Sequence, residues 1–226
     1  MVFQLDDELW FPDPHLGEPD GLIAAGGDLS VDRLLLAYSN GIFPWYSPQY
    51  HDEPMWYCPL QRFVIFPAEI HVSHSMRTLM NHNAYEVTID TDFSGVIGQC
   101  SQLRIHEDGA WLCDDMISAY TELHHQGLAH SVEVWTATPP DGEPQKEKAR
   151  RLVGGLYGVA IGSCFFGESM FSLVPSASKL ALIYLARFME QHGGRLIDCQ
   201  LETPHLRSMG GRFISYEEYM AIVRDT

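Results

Sequence analysis

Apolar positions along the chain keep two rhythms, one of helices and one of strands. Spacing of three and four puts Leu34, Leu35 and Tyr38 on one side of a helix over 31–39, which Asp28 or Ser30 can cap. A second helix starts at Ser73 or Ser75 and runs through Met80. Asp92 caps a third, with Phe93, Val96, Ile97 and Cys100 on its apolar face. Met116, Ile117, Tyr120 and Leu123 define a fourth over 114–125, closed by Gly127. A long helix over 176–192 stops at Gly193-Gly194, and a last one lies near 217–224. Strand rhythm appears at 85–90, 131–137, 152–157, 159–166 and 196–199. The polar segment between the second and third of these strands reads as an exposed hairpin loop. The first sixty residues read as loop-rich, with prolines at 44, 48, 54 and 59 and with Trp45, Trp56 and Tyr57 among them. Hairpin strands followed by a helix and another strand predict an α+β fold around a mostly antiparallel, mixed sheet.

Composition narrows the function classes. The chain has 226 residues and a formal net charge of −16, so a general nucleic-acid binder, which is usually basic, is disfavoured. A local basic patch is still compatible, because screening beyond about 8 Å leaves nearby charges in control. Residues 1–32 carry eight acids and no Lys or Arg, so a polyanion must dock elsewhere. At 46% hydrophobic and 19% charged, the chain is expected to fold. The start lacks a basic n-region, and the apolar stretch 152–167 is short and glycine-punctuated. A soluble, cytoplasmic protein with no membrane span is therefore expected. Five scattered cysteines without a CxxC argue against a disulfide framework or a structural zinc site.

Two segments stand out as chemistry. Phe166-Gly-Glu-Ser-Met-Phe-Ser172 places Glu168 where a strand is expected to leave the sheet, facing a ligand or solvent. In Ile197-Asp-Cys-Gln-Leu201, strand alternation puts Asp198 and Gln200 on one face and Ile197 and Cys199 on the other. A carboxylate and an amide in an apolar strand must be hydrogen-bonded, either structurally or to substrate. His71 and His74, or His124 and His125, lack a third ligand at metal spacing, and His130 is as readily a core histidine. Cys164 has no evident partner base for nucleophilic work, and no P-loop or G-x-G-x-x-G occurs. Trp45, Trp56, Tyr57 and Trp111 could stack bases or fill a core; spacing alone leaves both open.

Ordered motifs then extend over almost the whole chain. They include Phe11-Pro-Asp-Pro, Ala25-Gly-Gly-Asp-Leu-Ser30, Gly41-Ile-Phe-Pro-Trp45, Ser73-His-Ser-Met-Arg77 and Ala129-His-Ser-Val-Glu-Val-Trp135. Leu152-Val-Gly-Gly-Leu-Tyr-Gly158, Gly167-Glu-Ser-Met-Phe-Ser172, Ala177-Ser-Lys179, Leu196-Ile-Asp-Cys-Gln200 and His205-Leu206 continue the set. With these motifs the sequence closely resembles the leucyl/phenylalanyl-tRNA–protein transferases. Tyr57, where a second Trp is common, and Ala110, where Thr is usual, depart from the pattern.

The resemblance implies a small N-terminal domain, 1–62, on a larger GNAT-like acyltransferase domain, 63–226. It implies transfer of Leu or Phe, less readily Met, from aminoacyl-tRNA to proteins with N-terminal Arg or Lys, the products passing to ClpS/ClpAP. No metal or coenzyme is expected. By the same resemblance Gln200 hydrogen-bonds the attacking amine, Asp198 polarises Gln200, and Glu168 assists near donor or acceptor. Trp56 and Trp111 would stack the terminal adenosine, Leu156, Phe165, Leu182 and Ile197 would line the donor pocket, and Ser169 would contact substrate. Phosphate contacts are expected from Arg62, Arg77, Arg104, Lys146, Lys148, Arg150, Arg151 and Lys179. Two other classes stay in view: an acyl-CoA acyltransferase, which would want a pyrophosphate-binding glycine loop where Val174-Pro-Ser-Ala precedes Lys179, and a non-catalytic binder of basic N-terminal peptides.

Overall fold

Short extended runs between the early prolines pair with one another, so the first sixty residues are a small sheet and not the loop-rich unit expected. A computed structural model describes residues 1–47, 51–82, 85–104, 112–136 and 150–225. In it β1 (Phe3–Leu5), β2 (Leu22–Gly26), β3 (Phe43–Trp45) and β4 (Met55–Tyr57) form a sheet in the order β1-β2-β4-β3. Strands of three residues carry too little alternation to register in a sequence, which is why proline spacing dominated the reading. Helix α1 (Val31–Ser39) covers this unit. The hydroxyl of Ser30 accepts from the Arg33 amide at 3.3 Å, making it the cap.

The larger sheet has seven strands in the order β11-β5-β10-β9-β8-β7-β6. These are β5 (Gln61–Ile65), β6 (Tyr85–Ile89), β7 (Ala129–Thr136), β8 (Arg151–Ile161), β9 (Cys164–Ser172), β10 (Leu196–Asp198) and β11 (Arg212–Ser215). Only β9 and β10 pair in parallel, so the sheet is mixed and mostly antiparallel, as the element order predicts. Helices α2 (His74–Asn81), α3 (Phe93–Arg104), α4 (Asp114–His125) and α5 (Ala177–Gln191) fall where the apolar spacing places them. Short α6 (Pro204–Ser208) and final α7 (Tyr216–Val223) complete the chain. Among the described residues no helix is long and apolar enough to cross a membrane.

One expected turn is wrong. The strand does not end at Gly158 or Phe166: β8 runs to Ile161, its pairing with β9 shifting between Tyr157 and Gly158 so that Glu168 is passed over, the chain reverses at Gly162–Ser163, and β9 continues to Ser172. Gly158 serves a close approach instead, because a Cβ there would lie 2.1 Å from the Phe166 carbonyl oxygen. Glu168 therefore lies inside a strand, not at its exit. What ends beside it is β10, whose last residue Asp198 pairs with Phe166. Beyond that register β9 goes on without a neighbour on this side, and a cleft opens at the C-terminal ends of the parallel pair of this larger sheet. Helix α5 closes one wall of it. Its first residue Ala177 fits only because Gly154 leaves room, a Cβ there meeting Ala177 Cβ at 2.4 Å.

Candidate active site

The cleft is a cavity of about 460 Å³. Leu156, Phe165, Leu182 and Ile197 supply an apolar wall from β8, β9, α5 and β10, and Glu168, Ser169, Asp198, Gln200 and His205 supply its polar groups. Phe43, Pro44 and Trp45 reach it from the N-terminal sheet. Eight of the site residues implied by the resemblance thus meet in one place, with Trp45 beside them.

Asp198 closes β10 and is fully buried, as is Arg62 on β5. Arg62 Nε donates to Oδ1 at 2.9 Å and Nη2 to Oδ2 at 2.8 Å, a two-pronged pair. The Tyr219 hydroxyl donates to Oδ2 at 2.8 Å and the Gln200 amide to Oδ1 at 2.8 Å. Rings of Phe43 and Tyr219 hold the guanidinium at 4.8 and 4.9 Å. Burial works against the charge of Arg62, but Asp198 outweighs it and keeps the guanidinium above its ordinary value. Arg62 is therefore enclosed, paired with Asp198 through Nε and Nη2 while Nη1 is buried without a partner, and not placed on the surface as a phosphate contact would be. The carboxylate in turn has its acceptor sites filled, so it is poorly placed to take a proton.

Gln200 does not reach Asp198 by strand alternation. The strand ends at Asp198, and Gln200 sits in the left-handed region at φ 61°, costly for a residue with a Cβ. That conformation turns its backbone amide onto Asp198 and its side chain into the cavity, where Nε2 donates to Glu168 Oε1 at 2.9 Å. Among the described residues no donor reaches Gln200 Oε1, which leaves it open to a substrate N–H.

Glu168 is the centre of a ring of oxygens. Tyr38 donates to Oε1 and Tyr120 to Oε2, each at 2.7 Å, and the two hydroxyls are themselves 2.7 Å apart. Burial pushes the Glu168 carboxyl up to about 7, against the pull of the Tyr120 and Tyr38 hydroxyls and with the help of the Asp198 charge. Proton counting agrees: three short contacts need three protons, and the two tyrosines bring only two. The sequence reading placed Tyr38 and Tyr120 merely on apolar helix faces; the available signal was that a buried phenol needs a partner.

Other expectations move. Trp56 is fully buried, donates its indole N–H to the Gly26 carbonyl at 2.9 Å and packs edge-on against Phe11, so it cannot stack an adenosine. Trp45 is half-buried and lines the cavity wall. Trp111, Lys146 and Lys148 lie outside the described residues, as does the side chain of Arg104. Arg77, Arg151 and Lys179 retain exposure, whereas Arg150 is paired with Glu86 at 2.7 Å. The Cys164 thiol is buried and pushed up to about 11, so it is no thiolate at neutral pH. His124 bonds the Ala129 carbonyl, and His130 bonds Asp90 at 2.7 Å away from this cleft.

The family model for leucyl/phenylalanyl-tRNA protein transferase matches residues 64–224, and the model for its N-terminal domain matches residues 27–60. A leucyl/phenylalanyl-tRNA–protein transferase from Syntrophobacter fumaroxidans is 46% identical over 99% of this chain and 90% of its own length. One from Desulforapulum autotrophicum is 47% identical over 97% and 90%, and one from Chromohalobacter salexigens 51% identical over 88% and 73%. The solved structure of L-PGS from Bacillus licheniformis matches with TM-score 0.45 and 10% identity, over 90% of this chain and 70% of its own.

Proposed function

Because the chain belongs to the leucyl/phenylalanyl-tRNA–protein transferase family, and so is an aminoacyltransferase, we propose that the cleft seats the side chain of leucine or phenylalanine, less readily methionine. The acyl group passes from the tRNA 3′ end to the α-amino group of proteins that begin with Arg or Lys. The products go to ClpS/ClpAP in the cytoplasm, and a small N-terminal domain up to about residue 62 contributes one wall of the site. One observation carries this reading: an apolar pocket of Leu156, Phe165, Leu182 and Ile197 ends against the hydrogen-bonded chain Glu168, Gln200, Asp198.

No enzyme nucleophile is needed. An amine attacks an activated ester directly, and holding both reactants in line supplies much of the acceleration. Gln200 Oε1 accepts an N–H of the attacking amine and fixes its lone pair toward the ester carbon. Asp198 acts through the Gln200 backbone amide, so it is a positioning residue. Glu168 fixes the Gln200 side chain from the other end and presents an acid to a basic first residue. Ser169 Oγ, buried without a partner, is open to a polar atom of the donor. A pocket of this kind separates side chains differing by a methylene by only about 1–3 kcal/mol, which fits breadth over Leu, Phe and Met.

An acyl-CoA donor fits less well. The first amides of α5 are engaged, Ala177 with the Val174 carbonyl at 3.3 Å and Ser178 with Ser172 Oγ at 3.2 Å, so a pyrophosphate would have to displace both. The test is transfer of radiolabelled leucine from Leu-tRNA to peptides differing only in a first residue of Arg, Lys or Ala. Label on the Arg and Lys peptides alone, abolished in Gln200→Ala, supports the reading. Intact donor with no labelled peptide, or label moving from acetyl-CoA without tRNA, overturns it.

A further inference from the structure

Aminolysis by a protein N-terminus must shed a proton. At neutral pH the α-amino group, with a pKa of about 8, is mostly ammonium and has no lone pair. The two acids in the cleft have their oxygens already engaged. Asp198 has its acceptor sites filled by Arg62, Tyr219 and the Gln200 amide. Glu168 has its oxygens engaged by two phenols and the Gln200 side chain, and its own proton serves one of the three short contacts in that ring. An amide such as Gln200 is not a base at all.

Among the described residues one imidazole lines the cavity, beside the neutral Tyr157 phenol and Cys199 thiol. His205, the second residue of α6, lines the same cavity as Gln200 and Ser169, and its Nε2 is buried with no hydrogen-bond partner. Thr203 fixes the helix start, its hydroxyl accepting the Leu206 amide at 3.1 Å, so the ring is carried on an ordered turn. The titratable and charged groups around it are Lys179 on α5, Glu168 on β9, Asp198 at the end of β10 with Cys199 after it, and Arg207 on its own helix, which is turned onto Glu202. Burial first, and the Lys179 ammonium second, hold the imidazole below its ordinary value, hence neutral when the reaction runs.

We infer that His205 Nε2 takes the proton from the acceptor's α-ammonium group as its nitrogen, held by Gln200, attacks the ester. The nitrogen lone pair then forms the bond to the carbonyl carbon and the bond from that carbon to the ribose oxygen breaks. The surplus proton still on nitrogen goes to the ribose oxygen. The imidazolium returns its proton to water, leaving an amide, a deacylated tRNA and one released proton. This rests on the transferase reading above. Transfer by the unaltered enzyme at pH 8 tests that reading by itself, and only the pH profile tests His205.

The experiment is single-turnover transfer from saturating Leu-tRNA to an Arg-first peptide between pH 6.5 and 8, with wild type, His205→Gln and His205→Asn, each checked by thermal unfolding. With an internal base acting on the ammonium, wild type should hold its rate within about twofold across that range. Without one, only pre-formed free amine reacts, and the variants should slow roughly 15-fold from pH 8 to pH 6.5. A variant that keeps the wild-type profile overturns the inference. So does a wild type that itself slows roughly 15-fold, a result independent of whether either variant folds.

Discussion

Arg62 and Asp198 meet as a buried, two-pronged ion pair, 1% and 0% exposed, with nitrogen-to-oxygen distances of 2.9 and 2.8 Å. The pair joins β5 to the end of β10 and so fixes where the chain turns into Gln200. Removing one partner strands the other charge in the core, at a cost of about 3–5 kcal/mol. Arg62→Met should therefore lower the melting temperature by roughly 10 °C in a chain of this size. Arg62→Lys should recover only part, because a single ammonium cannot span both carboxylate oxygens. A melt of Arg62→Met within 2 °C of wild type, followed by circular dichroism, would sink this account.

The oxygen ring around Glu168 predicts a carboxyl that titrates near neutrality. Its folded pKa of about 7 lies above the ordinary glutamate value of 4.5, so the native state binds more protons between those values. The resulting contribution to stability is present at low pH and is lost as pH rises through that window. Infrared difference spectra should show a protonated carboxyl band at pH 6 that fades by pH 8 and is missing in Glu168→Gln. In Tyr38→Phe a donor to the carboxylate is gone, so the midpoint should move up. A band absent at pH 6 would mean that the ring holds two protons, not three.

Gln200 is held at φ 61°, where glycine is comfortable and glutamine is not. Gln200→Gly should relieve roughly 1 kcal/mol of strain and raise the unfolding midpoint, while transfer falls by at least tenfold for want of the side chain. Urea titration and single-turnover transfer measure the two effects. A variant less stable than wild type would show that the Glu168 bond outweighs the strain.

How much of this could be read in the chain depended on element length. Helices α1 and α4 run over the residues their apolar spacing gives, and Ser30 and Asp92 cap as expected, because capping and periodicity are local. β5 and β11 were missed, being four or five residues long and paired only with distant partners. Gly158 misled because a glycine made necessary by a close carbonyl looks the same as a glycine in a turn. Asp198, Gln200 and Glu168 were legible as types. Their link was not, since it runs through Arg62, Tyr38, Tyr120 and Tyr219, side chains 21 to 136 positions from the acids they bind.

Leu182 on α5 lines the pocket wall. Enlarging it to Phe shortens the pocket for the bulkier donor. Leu182→Phe should discriminate against Phe-tRNA relative to Leu-tRNA by about 1–3 kcal/mol, or 10- to 200-fold in kcat/KM. Competition between the two labelled donors reads the ratio directly. An unchanged ratio would place the donor side chain elsewhere.

Lys179 bears on two measurements at once. It remains partly exposed on α5 and it is the charge that acts on His205. As a phosphate contact it adds about 0.7–0.9 to the log–log salt slope of donor binding, so Lys179→Ala should flatten that slope by this amount. Losing its ammonium also removes a depressing influence on the imidazole, so His205 should titrate higher. The acid limb of the transfer profile should then move toward neutral pH, even at salt high enough to screen the tRNA contact, because half-buried charges are screened less than exposed ones. Arg62→Lys serves as the contrast: a residue enclosed with Asp198 should leave the salt slope of folded enzyme unchanged. If Lys179→Ala shifts the acid limb without touching the slope, Lys179 belongs to the proton path alone. If both stay put, it is a solvated helix residue with neither role.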